Sequence, residues 1–409
     1  MNPIHTDKFV NNVISLRTAI PFTEKNLHVL HLLLNMRRSR SEKYPDRASF
    51  STALSNAYAA GVGFNMNAYG PQLILDVRLV YIRAALVEEE GYVQAILDLL
   101  DQIVHHPLLD EEKLEESRFE VLSRLQTILE NPDAAALLKA AELAAPGTTL
   151  SIPVQGTVEG FEAVTLKDIE DLWKQIHESP LAIYTAGNIE PEIENYLNDL
   201  PQKELKKLSH ELLRPGEVRS EIVEREVDAI SLTQIYADQT EPDADEYCVL
   251  LVLNSMLGGC ATNLLFQTIR EQYSLCYSIS SSMIRFEGAL VITAQVLPGS
   301  LEKVQELIAL QIRRLVDQDY DPSLLDHAKR ALLDSLAEQQ DSARAMIEQS
   351  FLNHYLSRDK SMEALKEMIS QVSADQVSGL AEKLVLRSWC AVLNPSGAEE
   401  TEEETEDAR

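Results

Sequence analysis

The stretch His28-Val-Leu-His31-Leu-Leu-Leu34-Asn35 lies in a run apolar enough for a buried helix, and it carries one residue of a known catalytic trio. A helix that grips a hydrolytic zinc ion with two imidazoles one turn apart, beside a carboxylate that deprotonates the bound water, reads His-x-x-Glu-His. The matching window here is His31-Leu-Leu-Leu34-Asn35, with Leu34 at the general-base position and Asn35 at the second ligand. A neutral amide oxygen is a poor substitute for imidazole on Zn²⁺. His28 and His31 are three apart and share a helix face, so a His-x-x-His metal pair stands against the plainer reading of two half-buried helix histidines. Val29, Leu30, Leu32, Leu33, Leu34 and Met36 make the helix apolar nearly all round, which fits packing better than hydrolysis.

With 409 residues and 45% hydrophobic composition, the chain is long enough for two domains that each bury a core. A net charge of −29 repels nucleic-acid phosphate and anionic membrane surfaces, and leaves basic or neutral peptides as better-matched ligands. The opening Met1-Asn-Pro-Ile-His-Thr-Asp-Lys8 lacks the apolar centre of a signal peptide, and no uncharged apolar run of about 18 residues follows. A soluble, unexported, cytoplasmic protein without a membrane span is expected. Cys248, Cys260, Cys276 and Cys390 show no Cys-x-x-Cys spacing, so reduced and mostly buried thiols are expected.

Working outward from the helix, residues 9–20 read as a strand ending at Pro21. Residues 37–47 form a basic, polar loop broken by Tyr44-Pro45, either a solvated surface or a place to meet an acidic partner. A short amphipathic helix over 50–58 and two pairing strands over 61–67 and 73–80 follow. A long helix spans about 92–105 and closes at His105-His106-Pro107, where histidines near a helix C-terminus favour capping over metal binding. Asp110-Glu-Glu opens the next helix with its acidic turn at the positive end of the dipole. Residues 148–156 read as loop, Thr165 as an N-cap answered by Asp168, and 181–184 as a strand. Lys, Glu, Ser and Pro dominate 201–221, as in a linker, and strands resume at Ile222 and over 230–237.

The second half repeats the first. Val93-Gln94 and Leu97 match Val304-Gln305 and Ile308, and Asp110, Leu114, Arg118, Leu122 and Leu125 match Asp321, Leu325, Lys329, Leu333 and Leu336 at a constant offset of 211. Farther on, Val164-Thr165 and Asp168 correspond to Val372-Ser373 and Gln376, each ahead of a helix and then a strand. Agreement in order, spacing and caps implies two copies of one α+β domain, over residues 1–200 and 222–397 with the linker between. The tail from Ala398 is too acidic to pack and is expected to be disordered.

The degenerate window, the duplication and the second-half stretch Leu257-Gly258-Gly259-Cys-Ala-Thr-Asn-Leu-Leu-Phe266 through Arg270-Glu271 to Tyr277-Ser278 together resemble the pitrilysin/insulinase family of zinc peptidases. Within it, Glu42-Lys-Tyr44-Pro45 and Gln234 look like the bacterial elongation factor P 5-aminopentanol modification-associated proteins, the subset whose zinc motif is absent. The resemblance implies an antiparallel-rich sheet packed against helices in each domain, as in one half of a clamshell. In active members a glutamate on the helix after the first domain's long helix is the third zinc ligand; aligned on His106-Pro107, that position is Ser117, with Glu115, Glu116 and Glu120 nearby should the register shift.

An arginine and a tyrosine seven residues later, which in this family contact the peptide and the tetrahedral intermediate, match Arg270 and Tyr277. A guanidinium and a phenol are donors suited to a developing oxyanion. The implied role is a non-catalytic subunit that binds no metal itself and supplies Arg270 and Tyr277 to the active site of a homologous zinc-bearing subunit, with an extended peptide or unfolded polypeptide as substrate. An active peptidase using His28, His31 and a nearby glutamate, and a binding or assembly protein for a modification pathway, are the two alternatives.

Overall fold

Alternation is lost where a strand is buried on both faces, and residues 11–21 are such a strand: Val13, Ile14, Leu16 and Ile20 are buried, and so are Ser15, Arg17 and Thr18. The computed structural model describes residues 1–358 and 360–395, so the expected acidic tail lies outside the described residues. Strands β1 (Asn2–Ile4), β2 (Asn11–Pro21), β3 (Gly61–Tyr69), β4 (Gln72–Ile82) and β5 (Ala182–Ala186) form one sheet in the order β1-β5-β2-β4-β3. Only the β1–β5 pairing is parallel. Gly70, at φ 57°, and Pro71 close the β3–β4 hairpin in two residues, a turn that needs glycine first.

Strands β6 (Arg219–Glu224), β7 (Ile230–Ala237), β8 (Cys276–Ile284), β9 (Ala289–Val296) and β10 (Val385–Leu393) form the second sheet in the order β6-β10-β7-β9-β8. Matching β1 to β6, β2 to β7, β3 to β8, β4 to β9 and β5 to β10 reproduces the first order, again with one parallel pair, β6–β10. The fold is thus α+β and internally duplicated. Both Thr165/Asp168 and Ser373/Gln376 close reciprocal capping boxes, so the helices they open start alike in the two copies. The last three residues of the expected linker are strand: Arg219, Ser220 and Glu221 pair with Ser388, Trp389 and Cys390.

The compact units are not continuous in sequence. Of the described residues, the first comprises 1–126, 154–209 and 339–358; the second comprises 127–153, 210–338 and 360–395. Each copy of the repeat therefore lends one helix to the other's sheet, Pro132–Ala144 to the second and Ala343–Tyr355 to the first. These two helices are themselves 211 residues apart, so the exchange is reciprocal. On the second sheet the fit depends on small side chains. Ala136, Ala140 and Ala144, four apart on one face, are fully buried, which lets Ser388 Oγ on β10 donate to the Ala140 carbonyl at 2.6 Å.

On the first sheet the fit depends on charge. Arg17 on β2 is 2% exposed; its Nη2 donates to Glu348 Oε2 at 2.7 Å, its Nε to Ser15 Oγ at 3.0 Å, and its guanidinium lies 4.2 Å over the ring of Phe351. Asp76 accepts from Ser15 and pairs with Arg78, while Tyr69 donates to the other oxygen of Glu348 at 2.7 Å. Arg17→Ala removes the cation that Glu348 and Ser15 meet and opens a cavity beneath Phe351, while Asp76 keeps Arg78, so it should lower the unfolding free energy by about 2–4 kcal/mol. Urea denaturation followed by circular dichroism measures this, and a loss below about 1 kcal/mol, the level of an exposed pair, would contradict it.

Candidate functional site

The helix Glu24–Arg37 starts at Thr23, whose hydroxyl accepts from the Asn26 N–H at 3.1 Å, and ten of its fourteen residues are buried. Both of its histidines are engaged by one segment, residues 154–161. His31 Nε2 donates to the Val154 carbonyl at 2.8 Å, and His28 Nε2 accepts from the Thr157 N–H at 2.9 Å. An imidazole nitrogen that accepts from a backbone amide carries no proton, so His28 is neutral with its proton on Nδ1. The edge of the Phe161 ring meets both imidazoles, at centroid distances of 4.9 and 5.7 Å.

The approach is close enough to need glycine: a Cβ on Gly160 would collide with the His28 ring, and one on Gly156, at φ 80°, would lie 2.9 Å from His28 Cδ2. Burial pushes both histidine pKa values below the ordinary 6.5. For His31 the nearby charges of His28 and Arg124 add to that, against the Val154 hydrogen bond. The environment favours neutral, hydrogen-bonded rings.

The remaining window positions offer no donors that suit a metal. Leu34 is buried and apolar, and Asn35 is 8% exposed. Ser117, on the helix Glu111–Glu130, is 1% exposed and its hydroxyl has no hydrogen-bond partner among the described residues. The glutamates around it are all paired: Glu115 with Arg118 at 3.1 Å, Glu116 with Arg40 at 2.6 Å and Lys113 at 3.1 Å, and Glu120 with Arg47. The hydrogen bonds from Arg40 and Lys113 hold the Glu116 carboxyl below the usual carboxylate range.

Arg118 reaches the same segment that covers the histidines, donating to the Phe161 and Val164 carbonyls. The structure thus brings the helices of His31 and Ser117 to one corner of the first unit. What it gathers there is guanidinium and carbonyl in place of carboxylate and free imidazole. Among the described residues no group of three or more His, Cys, Asp or Glu is placed to hold a metal ion. The donor set does not fit zinc.

The basic loop is answered from within the same unit. Besides Arg40 and Arg47, Lys43 pairs with Asp98 at 2.8 Å, while Glu42 accepts from His106 at 3.1 Å. His106 also lies 3.2 Å from Asp101, and His105 shares a hydrogen bond with His177 at 2.9 Å, so the two adjacent histidines part to different partners.

Arg270 and Tyr277 belong to the second unit, and both are exposed. Arg270 lies on the helical turn Phe266–Gln272, which is wound wide: the Tyr273 N–H bonds the Thr268 carbonyl, five residues back, at 3.0 Å. Its guanidinium rests 4.7 Å above the Phe266 ring. A second wide turn, Ser255–Gly259, precedes it, and a Cβ on Gly258 would stand 2.6 Å from the Ser281 nitrogen, so glycine there lets the turn lie directly on β8. Ser274, a non-glycine residue at φ 54°, turns the chain from the wide helix into β8.

Tyr277 then falls in a bulge: Cys276 pairs with Val296 and Ser278 with Gln295, which leaves Tyr277 unpaired and 59% exposed. Burial raises the neighbouring Cys276 thiol to about 11, opposed by the charge of Arg270. The geometry therefore presents a guanidinium and a phenol to the surface from a rigid wide turn and a bulge.

Against known sequences, the family description "Peptidase M16 inactive domain" matches residues 163–332. Over those residues the chain is similar to the M16 inactive domain. Two curated relatives support this along most of its length. The probable inactive metalloprotease YmfF of Bacillus subtilis is 19% identical over 97% of this chain and 96% of that protein. The uncharacterized zinc protease YmxG of the same bacterium is 22% identical over 78% of each.

Solved structures agree in fold. A conserved protein from Enterococcus faecalis V583 has a TM-score of 0.85 at 18% identity, covering 96% of both chains. A peptidase M16 inactive domain from Pseudomonas fluorescens has a TM-score of 0.77 at 15% identity, over 95% and 94%. No helix among the described residues is long and apolar enough to cross a membrane.

Histidines held neutral give the chain a pH signature. Their pKa values are lowered on folding, so the unfolded chain binds more protons below pH 6.5, and the stability they contribute is full above that value and lost as pH falls through the folded pKa. The urea midpoint should drop between pH 7.5 and 5, and the double variant His28→Asn/His31→Gln should drop less. An equal drop in both proteins would show that these rings do not titrate with folding.

Proposed function

We propose that this M16 homologue is the non-catalytic subunit of a two-chain zinc metallopeptidase. One observation carries the reading: the helix window that would hold zinc is committed to packing, with His31 on the Val154 carbonyl and His28 on the Thr157 amide, while Arg270 and Tyr277 remain exposed. The chain binds no zinc itself. A homologous cytoplasmic subunit with an intact His-x-x-Glu-His helix supplies the metal and the base.

Arg270 contributes a fixed positive charge and up to five N–H donors, and Tyr277 one O–H donor, toward the oxyanion that develops when water attacks a peptide carbonyl. The substrate is an extended peptide or unfolded polypeptide. Strands β3 and β8, outermost in their sheets, each have one edge without a strand partner among the described residues, the arrangement that accepts an added strand through main-chain hydrogen bonds.

Reconstitution with a His-x-x-Glu-His homologue tests the proposal. Arg270→Ala and Tyr277→Phe should each lower the kcat of the pair by about 10²-fold, the scale of losing one oxyanion donor, with subunit association unchanged. Full cleavage by pairs carrying both substitutions would favour an assembly role instead. One tightly bound zinc per isolated chain, with peptidase activity abolished by His31→Ala, would favour an active peptidase.

A further inference from the structure

Four arginines are buried among the described residues: Arg17, Arg37, Arg40 and Arg78. Three have carboxylates, namely Glu348 for Arg17, Glu116 for Arg40 and Asp76 for Arg78. Arg37, at 4% exposure, has none. It ends the helix Glu24–Arg37, and its guanidinium is sandwiched 4.3 Å from the Trp173 ring and 4.9 Å from that of Phe64. One Nη2–H donates to the Ile103 carbonyl, and its other N–H groups have no hydrogen-bond partner among the described residues. Burial alone draws its pKa down to about 9. A desolvated charge is costly unless an anion meets it.

A narrow cavity of about 50 Å³ opens beside this guanidinium, with Leu16, Leu75 and Val77 on its walls and His105 and His177 at one side. On a scale where one water needs about 10–15 Å³, it holds about three to five heavy atoms. His105 Nδ1 and His177 Nε2 share one hydrogen bond at 2.9 Å. Whichever ring donates in the neutral pair, the acceptor ring carries its proton on the outer nitrogen, so one further N–H is always available from the pair. A guanidinium with unused donors and apolar walls, with the imidazole pair at the side, all within the first unit, make an anion site with room for an alkyl group.

We propose that this cavity binds a small monocarboxylate of two or three carbons, its oxygens on Arg37 and its alkyl end against Leu16, Leu75 and Val77. The site uses neither Arg270 nor Tyr277, which lie in the other unit, and it stands whether or not the chain serves a peptidase. Phosphate and sulfate, with five heavy atoms and a tetrahedral shell of oxygens, suit apolar walls less well than acetate or propionate.

The full chain has two tryptophans, so a Trp389→Phe background leaves Trp173, against Arg37, as the sole reporter. Titration with sodium acetate at constant ionic strength should change Trp173 fluorescence saturably, with a Kd of about 1 mM expected for so small a ligand, and should raise the thermal midpoint. Acetamide, the neutral isostere, should do neither, and chloride should act at least tenfold more weakly. Arg37→Met, apolar and of similar length, should abolish the response while keeping the far-ultraviolet dichroism. No saturable response in the parent protein would overturn the proposal, as would an equal response to acetamide or chloride, or one that survives in folded Arg37→Met. The three-ligand comparison needs only the parent protein, so it decides the matter even if the variant fails to fold.

Discussion

A guanidinium with almost no access to water sets the terms for the first unit. Arg17 lies in the middle of the central strand β2, where its two-sided burial excludes solvent, and the carboxylate that meets it comes from Glu348, 331 residues later. Without the helix Ala343–Tyr355, the charge would face a gap in the sheet's cover. With it, Phe351 stacks on the guanidinium, Tyr69 shares the carboxylate, and Tyr355 donates to Gln72 at 2.8 Å. Charge pairing of this kind adds little net stability over an apolar isostere, yet it selects one partner helix and one register, because every misplacement strands a buried ion.

The second unit solves the same problem with shape. The borrowed helix Pro132–Ala144 presents a strip of alanines to β7 and β10, and close approach replaces ion pairing as the device that fixes its position. Polar contacts sit at its rim, where Gln295 reaches Asp133 at 2.8 Å and Lys139 pairs with Glu221 at 3.2 Å. Duplicated units need not conserve the chemistry of an interface, only the location of the element that makes it. Here the element is held at the same offset of 211 residues in both copies while its contact surface has changed from charged and aromatic to alanine.

Much of this was legible in the sequence, for identifiable reasons. The helix Tyr92–His105 and the Thr165/Asp168 box follow from local periodicity and capping, which need no tertiary information. The exchange was not legible, because an amphipathic pattern says that a helix has a buried face and nothing about which sheet will bury it. The engagement of His31 was hidden for a similar reason: its partner carbonyl is 123 residues away and carries no side-chain signal. Gly156 and Gly160 were the readable trace, since paired glycines flanking Thr157 mark a backbone that must come close to something. The bulge at Tyr277 also left a trace, in that the buried residues Cys276 and Ile279 are three apart where a regular strand would space them by two.

The two candidate segments differ in the regularity of their backbone. In the first unit the helix of His31 is capped, buried and hydrogen-bonded in relaxed geometry, with each imidazole satisfied by the main chain. In the second, two wide helical turns, a left-handed Ser274 and a bulge follow one another within about thirty residues, and they end by turning a tyrosine toward solvent. The left-handed Ser274 costs on the order of 1–3 kcal/mol relative to regular backbone, and neither it nor the turns and bulge bury Arg270 or Tyr277. The same irregular segment packs Met256, Leu257, Ile269, Cys276 and Ile279 into the core of the second unit, and irregular backbone of this kind is what lets one short stretch bury those side chains while leaving Arg270 and Tyr277 at the surface.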